Sequence, residues 1–344
     1  MNVPSLACAA GWRFGSAFVV SWLLTALFIR WAPRLGLVDY PSERKVHMRP
    51  TPRGGGIAIF VAVISISYSL SAITYQLVLA SIIFLLGLLD DLRPLRWQLR
   101  LIVQFAVSIA AVVLCLPPAA WFDRTAAVFW IAGLINAFNM LDNMDALSCG
   151  VAWIAAGFLA VVAWMGTGAT IAEWMLFVVL MGALSGFLWF NRPPARIFMG
   201  DAGSTFLGFT LGLGSVQVAW HEGGPSWAWL VPPCILAVPC YDLLSVVLLR
   251  LSQGRSPFHA DKQHLSHRLA GRGSSNWTAV RVIYLFALAS GASGVILYAV
   301  GDWMTAGLVV GQLAAWWLAL AVMEFAKKEP RHDTKAQDPE NTGR

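Results

Sequence analysis

Charged residues are scarce in this 344-residue chain, and their scarcity distinguishes a membrane protein from a soluble one. Asp, Glu, Lys and Arg together make up 12% of the sequence, whereas soluble domains carry about 25%. Hydrophobic residues reach 58%, and the mean hydropathy is +0.66. These values exclude an ordinary soluble globular protein and indicate an integral membrane protein.

Cysteines and internal repeats are also lacking. The 5 cysteines are scattered, mostly within apolar stretches, with neither metal-type spacing nor a disulfide framework. No internal repeat is visible, which weakens the case for a transporter built from duplicated halves.

Apolar runs near the roughly 20 residues that a helix needs to cross a bilayer recur along the chain. The fold is therefore predicted to be all-α, an integral membrane protein with about eleven transmembrane helices in one domain over residues 1–326. Residues 327–344 are polar and are predicted to form a disordered cytoplasmic tail. The first run lacks a cleavage site and is interpreted as a retained helix. The predicted spans are 13–31, 55–74, 75–89, 98–116, 126–141, 149–166, 171–190, 203–220, 227–249, 278–300 and 304–325.

Lys and Arg are concentrated in alternate loops, and this bias predicts the orientation. The opposite loops offer little beyond Arg13 and Arg124. We therefore expect a periplasmic N-terminus and a cytoplasmic C-terminus. The net charge of +6 follows mostly from this bias, and no nucleic-acid partner is expected. The basic loops are 32–54, 90–97, 142–148, 191–202 and 250–277.

Polar chemistry is collected in five segments, each in a gap between apolar runs. All five fall in the basic loops or next to them, so they share one membrane face and indicate one active site there. The segments are PSERKVHMRPTPRGGG (41–56), LDDLRP (89–94), NAFNMLDNMD (136–145), NRPPARIFMGDAGS (191–204) and DKQHLSHRL (261–269).

The acidic residues of these segments suggest a divalent cation. Asp90 and Asp91 end an apolar run, and adjacent carboxylates that stay ionised usually need a cation. The alternative is an interfacial stop with Arg93 and Arg96 as counter-ions. Asp201 follows Gly200 and is either a helix cap or a metal ligand. Oxygen-only ligands suggest Mg²⁺ or Mn²⁺.

The segment 136–145 predicts a polar helix face. At about 100° per residue, one third of the helix circumference holds several amides and carboxylates. Such groups are costly at membrane depth and tend to be functional. Hydrogen bonding between helices explains one asparagine well, but not the whole set. The face consists of Asn136, Asn139, Asp142 and Asn143, and Asp145 extends it where the helix meets water.

Cationic groups are equally abundant. Successive N–H groups at the glycine-rich start of a helix, Gly54–Gly56, can receive phosphate oxygens, although a flexible turn with topology-setting charges is an alternative. Zinc is not favoured at the two histidines of the longest loop, because no cysteine or third histidine joins them. The cationic residues are Lys45, His47, Arg53, Lys262, His264, His267 and Arg268. A metal-plus-cation site at a membrane surface is typical of phosphoryl transfer between a lipid phosphate and a soluble diphosphate.

These five ordered motifs resemble the polyprenyl-phosphate N-acetylhexosamine-1-phosphate transferases. This superfamily contains the bacterial WecA, TagO, WbpL and MraY enzymes, and the match runs from about residue 35 to 272. The resemblance implies attack of undecaprenyl phosphate on the β-phosphate of a UDP-N-acetylhexosamine, most simply UDP-GlcNAc, with release of UMP. Alternatives are UDP-FucNAc, UDP-QuiNAc or a phospho-MurNAc-pentapeptide donor and, in another class, a polytopic transporter. Related enzymes suggest a homodimer.

The resemblance also implies roles for particular residues. Asp90 would deprotonate or position the lipid phosphate, and Asp145 is placed for the uracil. Attack by the lipid phosphate is favoured over a covalent carboxylate intermediate. The expected catalytic residues are Asp90, Asp91, Asp142 and His264. The expected substrate-binding residues are Lys45, His47, Arg53, Asn139, Asn143, Asp145, His267 and Arg268. The expected metal ligands are Asp201, Asp91 and Asp142.

The chain departs from the family pattern at two motifs. The common DG(I/L)DG reads Asp-Asn-Met-Asp-Ala here, so Asn143 and Ala146 replace glycines. Asparagine tolerates left-handed backbone geometry, whereas alanine does not, which puts the turn at Ala146 in question. Ser266 stands where the usual H-x-H-H has its middle histidine, which argues against the pentapeptide donor. Asp242, inside the ninth span, is either near the site or hydrogen-bonded to a neighbouring helix.

Overall fold

The described part of the chain is built almost entirely from helices, as the apolar runs predict. The computed structural model describes residues 3–40, 50–117, 119–166, 170–219, 226–257, 263–271 and 275–325. Lys45, His47, Lys262 and the predicted tail 327–344 lie outside these ranges. The elements are α1 (Val3–Trp31), β1 (Val38–Asp39), β2 (Thr51–Pro52), α2 (Gly55–Ser67), α3 (Thr74–Leu92), α4 (Trp97–Cys115), α5 (Trp121–Leu141), α6 (Leu147–Met165), α7 (Ile171–Asn191), α8 (Gly200–Ala219), α9 (Val231–Ile235), α10 (Ala237–Ser252), α11 (Leu265–Ala270), α12 (Asn276–Val300) and α13 (Trp303–Phe325).

Within the described residues, eight helices are long and apolar enough to cross a membrane. A ninth span results if the pair Trp227–Ile235 and Ala237–Ser252, bent by 82°, counts as one. The all-α multi-pass membrane fold is therefore confirmed. Each predicted span overlaps a helix, but α2 has only 13 residues, so the count of eleven and the orientation stay predictions.

The helix α8 lies at the centre of the molecule, in contact with α2, α3, α5 and α6. All of its residues from Ala202 to Ala219 are buried. Small residues recur along α8, and they let neighbouring backbones come close, as in many membrane-helix interfaces. Because protein surrounds this helix on all sides, its own sequence need not be strongly apolar.

Glycines make the closest of these contacts. A Cβ on Gly203 would lie 2.6 Å from the Cα atom of Gly56, and one on Gly208 would lie 2.4 Å from the carbonyl oxygen of Leu134. Such distances are shorter than real Cβ contacts allow, so both positions require glycine. Gly203 therefore packs α8 against α2.

Gly87 on α3 controls where the acidic residues of that helix lie. A Cβ on Gly87 would be 2.5 Å from the carbonyl oxygen of Asp201 and 2.7 Å from the Cα atom of Ala202. Asp90 and Asp91 follow three and four residues later, on the same side of the helix. The close approach at Gly87 therefore brings this acidic pair to the start of α8.

Gly87→Ala is expected to push α3 away from the start of α8. Overpacking of this kind costs about 1–3 kcal/mol, and a shift of about 1 Å at the acidic residues lowers turnover by about 100-fold. Melting temperature in detergent and kcat measure the two effects. The matched control is Gly311→Ala on α13, where an added Cβ meets nothing within 4 Å. Equal kcat for both variants would contradict this role of Gly87.

Candidate active site

The five polar segments meet in one cleft, as their common membrane face predicts. The cleft has a volume of about 1320 Å³ and is walled by α4, α5, α10 and α12. Small-molecule sites usually measure about 300–1,000 Å³, so this cleft has room for more than one substrate. The predicted residues that line it are Arg53, Asp91, Asn139, Asp142, Asn143, Asp145, Asp201, His264 and His267.

Carboxylates from two segments hold the start of α8. The backbone N–H groups of Asp201 and Ala202 donate to the two oxygens of Asp91, at 3.0 and 2.9 Å. The N–H of Gly200 hydrogen-bonds to Asp142. Negative charge is favourable at a helix N-terminus, where these N–H groups have no partner within the helix. Asp91 is thus the residue that fixes the first turn of α8.

Asp201 lies in that first turn and faces the cleft. Its Oδ1 accepts a hydrogen bond from the amide of Asn139 at 2.9 Å, and the same amide lies 3.2 Å from the Ser204 hydroxyl. The Asn139 amide therefore sets the direction of the Asp201 carboxylate. Ser204 lies one turn into α8, and its hydroxyl donates to the Gly200 carbonyl.

Arg100 is the functional residue that the sequence reasoning missed. Its guanidinium donates to Asp90 and lies 3.6 Å from the second oxygen of Asp201. The other oxygen of Asp90 accepts from the Leu95 N–H at 2.6 Å. The partner of Asp90 is thus Arg100 rather than the suggested Arg93 or Arg96. A basic residue inside the apolar span 98–116 was the available signal, because such charges are rare at membrane depth.

The polar face predicted over 136–145 is only partly helical. The helix α5 ends at Leu141, and Asp142 leaves it with φ −79° and ψ 53°. Asp142, Asn143 and Asp145 therefore lie in the turn before α6 rather than on one helix face. Asn136 donates to Gln104 on α4 at 2.8 Å, so hydrogen bonding between helices accounts for this residue.

Asp142 lies in an electrostatic setting that disfavours its charge. Desolvation in the cleft, together with the carboxylates of Asp201 and Asp91, raises its pKa to about 8. Arg53 opposes this rise without overcoming it. At neutral pH such a group is mostly protonated unless further positive charge lies beside it.

The predicted metal ligands Asp201, Asp91 and Asp142 differ in what their carboxylates already bind. Among the described residues, no group of three His, Cys, Asp or Glu side chains is arranged to hold a metal ion. Asp91 is committed to backbone N–H groups, which leaves Asp201 and Asp142. One or two carboxylates are what Mg²⁺ usually takes from a protein when phosphate oxygens and water supply the rest.

The glycine-rich start of α2 does not offer its N–H groups to a phosphate. Gly55 and Gly56 donate to the carbonyls of Phe198 and Met199 at 3.0 and 2.9 Å. The predicted phosphate role of this backbone is therefore wrong, because it pairs with the segment that leads into α8. Arg53 does line the cleft, and it pairs with Asp39 on β1 at 2.7 Å.

Two of the three residues that depart from the family pattern contact each other. The Ser266 hydroxyl on α11 donates to the side-chain oxygen of Asn143 at 2.5 Å. A glycine at 143 has no side chain to accept this bond. The two substitutions therefore form one connection between the turn after α5 and the histidine helix α11.

Ala146 adopts the left-handed geometry that the missing glycine would favour, with φ 64°. Its N–H donates to Asn191 at 3.0 Å, and its carbonyl accepts from the Tyr284 hydroxyl at 2.5 Å. Partners on both sides thus hold a conformation that costs an alanine roughly 1–2 kcal/mol. The turn persists in spite of its sequence, which answers the question raised by the missing glycine.

Ala146→Gly is expected to stabilise the protein by about 0.5–1 kcal/mol, because the relieved strain exceeds the added chain entropy. Thermal unfolding in detergent should show a melting temperature that rises by about 1–2 °C. Ala314→Gly, in an ordinary stretch of α13, is the control and should lower it. A lower melting temperature for Ala146→Gly would contradict the inference that Ala146 is strained.

The histidine loop contributes His264 and His267 to the cleft, with their ring centroids 6.4 Å apart. Arg268 lies elsewhere. Its guanidinium is held by Glu324 at 2.8 Å and by Ser245 at 2.7 Å, and it also donates to the Gln263 carbonyl. The predicted substrate-binding role of Arg268 is therefore not supported, because its donors bind protein groups away from the cleft.

The part of the cleft that faces away from the acidic residues is apolar. Side chains of α4 and α5 face α10 across it, and two aromatic rings there, Phe105 and Phe129, meet edge to face at 5.4 Å. The apolar lining consists of Trp97, Leu101, Phe105, Phe129, Ala132, Gly133, Leu243 and Val247. The cleft thus has a polar end with carboxylates and cations, which opens into an apolar groove between helices.

Fold and site together define a multi-pass membrane protein with a cleft that carries both acidic and basic side chains. A model of the family described as glycosyl transferase family 4 matches residues 73–219. The chain belongs to this family, in agreement with the resemblance seen in its motifs.

Relatives extend the match over most of the chain. A probable undecaprenyl-phosphate N-acetylglucosaminyl 1-phosphate transferase of Bacillus subtilis is 34% identical over 316 residues, covering 85% of this chain and 87% of the relative. A decaprenyl-phosphate N-acetylglucosaminephosphotransferase of Mycolicibacterium smegmatis is 31% identical, with 94% and 90% covered. An undecaprenyl-phosphate alpha-N-acetylglucosaminyl 1-phosphate transferase of Escherichia coli K12 is 29% identical, with 80% and 81% covered.

Proposed function

We propose that this protein transfers N-acetylglucosamine 1-phosphate from UDP-GlcNAc to undecaprenyl phosphate and releases UMP. The product would begin a lipid-linked surface glycan. The observation that carries the proposal is the cleft, in which five acidic residues and several cations meet at the end of an apolar groove. The names of relatives in three bacteria support the sugar phosphate and the polyprenyl carrier.

The two ends of the cleft suit the two substrates. A polyprenyl chain cannot leave the bilayer cheaply, since each buried CH₂ group is worth about 0.8 kcal/mol. The groove between α4, α5 and α10 would take the chain sideways from the membrane and bring its phosphate to the acidic end. Asp145 would contact the uracil. It lines the cleft where its carboxylate accepts a hydrogen bond from the Ala195 N–H at 2.9 Å.

Positive groups at the acidic end would bind the phosphates. Arg100 and Arg53 line the cleft, and each is held in place by a carboxylate, Asp90 and Asp39 respectively. His264 and His267 supply ring N–H donors from another wall of the cleft. Asp201 and Asp142 would hold Mg²⁺ or Mn²⁺, which, when bound, supplies charge that neutralises the diphosphate oxygens.

We favour direct attack of the lipid phosphate. One of its oxygens forms a bond to the β-phosphorus, and the bond from that phosphorus to the bridging oxygen breaks, so UMP leaves with the electron pair. A covalent route through Asp90 or Asp91 needs a free carboxylate oxygen, yet both oxygens of each residue accept hydrogen bonds, and Asp201 is assigned to the cation. Asp90 would therefore position Arg100 rather than take up a proton.

We place the reaction at the cytoplasmic face of a bacterial inner membrane. The basic loops support this side, because they carry the same motif residues that line the cleft. A nucleotide sugar is also a soluble substrate, which would reach the site from the aqueous side of the polar end.

The test is UMP release from purified protein in detergent, with undecaprenyl phosphate and a panel of UDP-sugars, with and without EDTA. We expect UMP with UDP-GlcNAc and its loss in EDTA. If UMP were released only with UDP-FucNAc or UDP-QuiNAc, the donor would be a different acetamido sugar from GlcNAc. If well-folded protein released no UMP with any donor, the proposed transferase activity would be refuted. A transport assay would then be the next step.

A further inference from the structure

A carboxylate within the ninth predicted span is fully enclosed by the protein. Asp242 on α10 is 0% exposed, and both of its oxygens have partners. Its Oδ2 lies 3.0 Å from Nδ1 of His264, and its Oδ1 accepts from the Leu265 N–H at 2.7 Å. A buried carboxylate is costly unless it is paired and hydrogen-bonded, so these two contacts account for its presence at membrane depth.

The contact with Nδ1 determines which ring nitrogen of His264 can meet a ligand. An imidazole whose Nδ1–H is bound to a carboxylate has its tautomer and ring orientation fixed by that bond. His264 lines the cleft while Nδ1 is engaged on the other side, so Nε2 is the nitrogen available to the cleft. In the neutral ring Nε2 accepts a hydrogen bond, and in the protonated ring it donates one.

The second contact anchors the helix that carries the histidines. Leu265 is the first residue of α11, and its N–H has no partner within that helix. The other end of α11 is tied by Arg268 to Glu324 on α13 and to Ser245 on α10. One carboxylate thus both orients the His264 ring and holds the start of its helix, and the two tasks need separate tests.

We infer that Asp242 is a positioning residue for the phosphate chemistry. It holds Nδ1–H of His264, so that the ring in its protonated form donates from Nε2–H to the substrate diphosphate, and the pair, rather than the histidine alone, sets the rate. This inference rests on the proposed function of the cleft. Asp242 itself does not line the cleft and would act only through His264.

Asp242→Asn separates orientation of the ring from anchoring of the helix. The asparagine carbonyl oxygen can keep the bond from the Leu265 N–H, and its NH₂ group then faces Nδ1 of His264. Nδ1 must become an acceptor to pair with that group, which leaves a neutral ring with its one proton on Nε2. The helix stays anchored while the ring loses its positive charge, and the same change in a Ser-His-Asp triad also leaves the geometry intact while it alters the ring protonation.

The experiment measures kcat and KM for UDP-GlcNAc in the wild type, Asp242→Asn, His264→Gln and the double variant. We expect Asp242→Asn to lower kcat by about 10–100-fold, the usual cost of losing a carboxylate behind a histidine, with KM changed less than about threefold. In the His264→Gln background the same change should have almost no further effect, because the two residues act as a unit. Asp302→Asn at the exposed start of α13 is the matched control, where asparagine caps equally well.

Two further readouts keep the outcomes apart. Melting temperatures show whether each variant folds, and ¹⁵N NMR of histidine-labelled protein should show one ring that loses its Nδ1 proton in Asp242→Asn. Wild-type kcat in folded Asp242→Asn, or full additivity in the double variant, would overturn the inference. Failure of the wild type to release UMP would instead refute the proposed function, and the NMR result would still report the pairing.

Discussion

Asp201→Asn is expected to lower kcat for UMP release by at least about 100–1,000-fold, the range for removing one preorganised electrostatic group. Asparagine keeps an oxygen that can accept the bond from Asn139, which is 2.9 Å long in the native protein, so the side chain stays oriented. What it loses is the negative charge proposed to hold Mg²⁺, together with the attraction to Arg100 at 3.6 Å.

The measurement is UMP release over a Mg²⁺ titration, beside the melting temperature of each variant. Asp302→Asn is the control, since it makes the same chemical change at the exposed start of α13 and should leave kcat unaltered. Full activity of Asp201→Asn at the usual Mg²⁺ concentration would contradict the assignment of Asp201 as a metal ligand.

Gly133→Trp is expected to block the lipid groove. Gly133 lines the apolar part of the cleft on α5, and a Cβ built there meets nothing within 4 Å, so the indole can enter the open groove without displacing protein. Loss of contact for three to four CH₂ groups costs about 3 kcal/mol, which lowers kcat/KM for undecaprenyl phosphate by about 100-fold. The KM for UDP-GlcNAc should stay unchanged.

The comparison uses undecaprenyl phosphate and a short-chain isoprenyl phosphate as acceptors. Turnover of the short acceptor should be spared, because it needs only the polar end of the cleft. Gly311→Trp provides a matched control, as this glycine of α13 also faces open space and lies outside the cleft. Equal loss with both acceptors would mean that the substitution disturbs the polar end, and equal retention would place the lipid elsewhere.

The sequence predicted the membrane fold and the residue segments of the site well, because both depend on local composition. Apolar runs predict where the helices lie, and the bias of Lys and Arg predicts on which membrane face each connecting loop lies. The five polar segments then had to meet if they shared one face. Asp91, Asp142 and Asp201 all line the cleft, although they are far apart in the chain.

The roles within the site depended on contacts that no local pattern contains. Asp91 and Asp201 look alike in sequence, yet one binds backbone N–H groups of α8 and the other faces the cleft. Gly56 resembles a phosphate-binding glycine but packs against Gly203 of another helix. Arg100 was hidden because it falls one turn inside an apolar span.

The turn between α5 and α6 shows how tertiary contacts override local preference. Helical periodicity continues through Asp142 in the sequence, but the helix ends at Leu141. Ala146 is a poor residue for the left-handed region, yet Asn191 and Tyr284 hold it there. Neither partner is near in sequence, so only the folded chain reveals them.

The most direct test of sugar-phosphate transfer follows the two phosphorus atoms of the donor. Purified protein is given undecaprenyl phosphate and UDP-GlcNAc labelled with ³²P at either the α- or the β-position. Transfer of the sugar together with its phosphate predicts that the β-label moves into the lipid, while the α-label leaves as UMP in equal amount. A β-label that stays with the nucleotide as UDP would mean that the sugar alone is transferred, and would contradict transfer of the sugar phosphate.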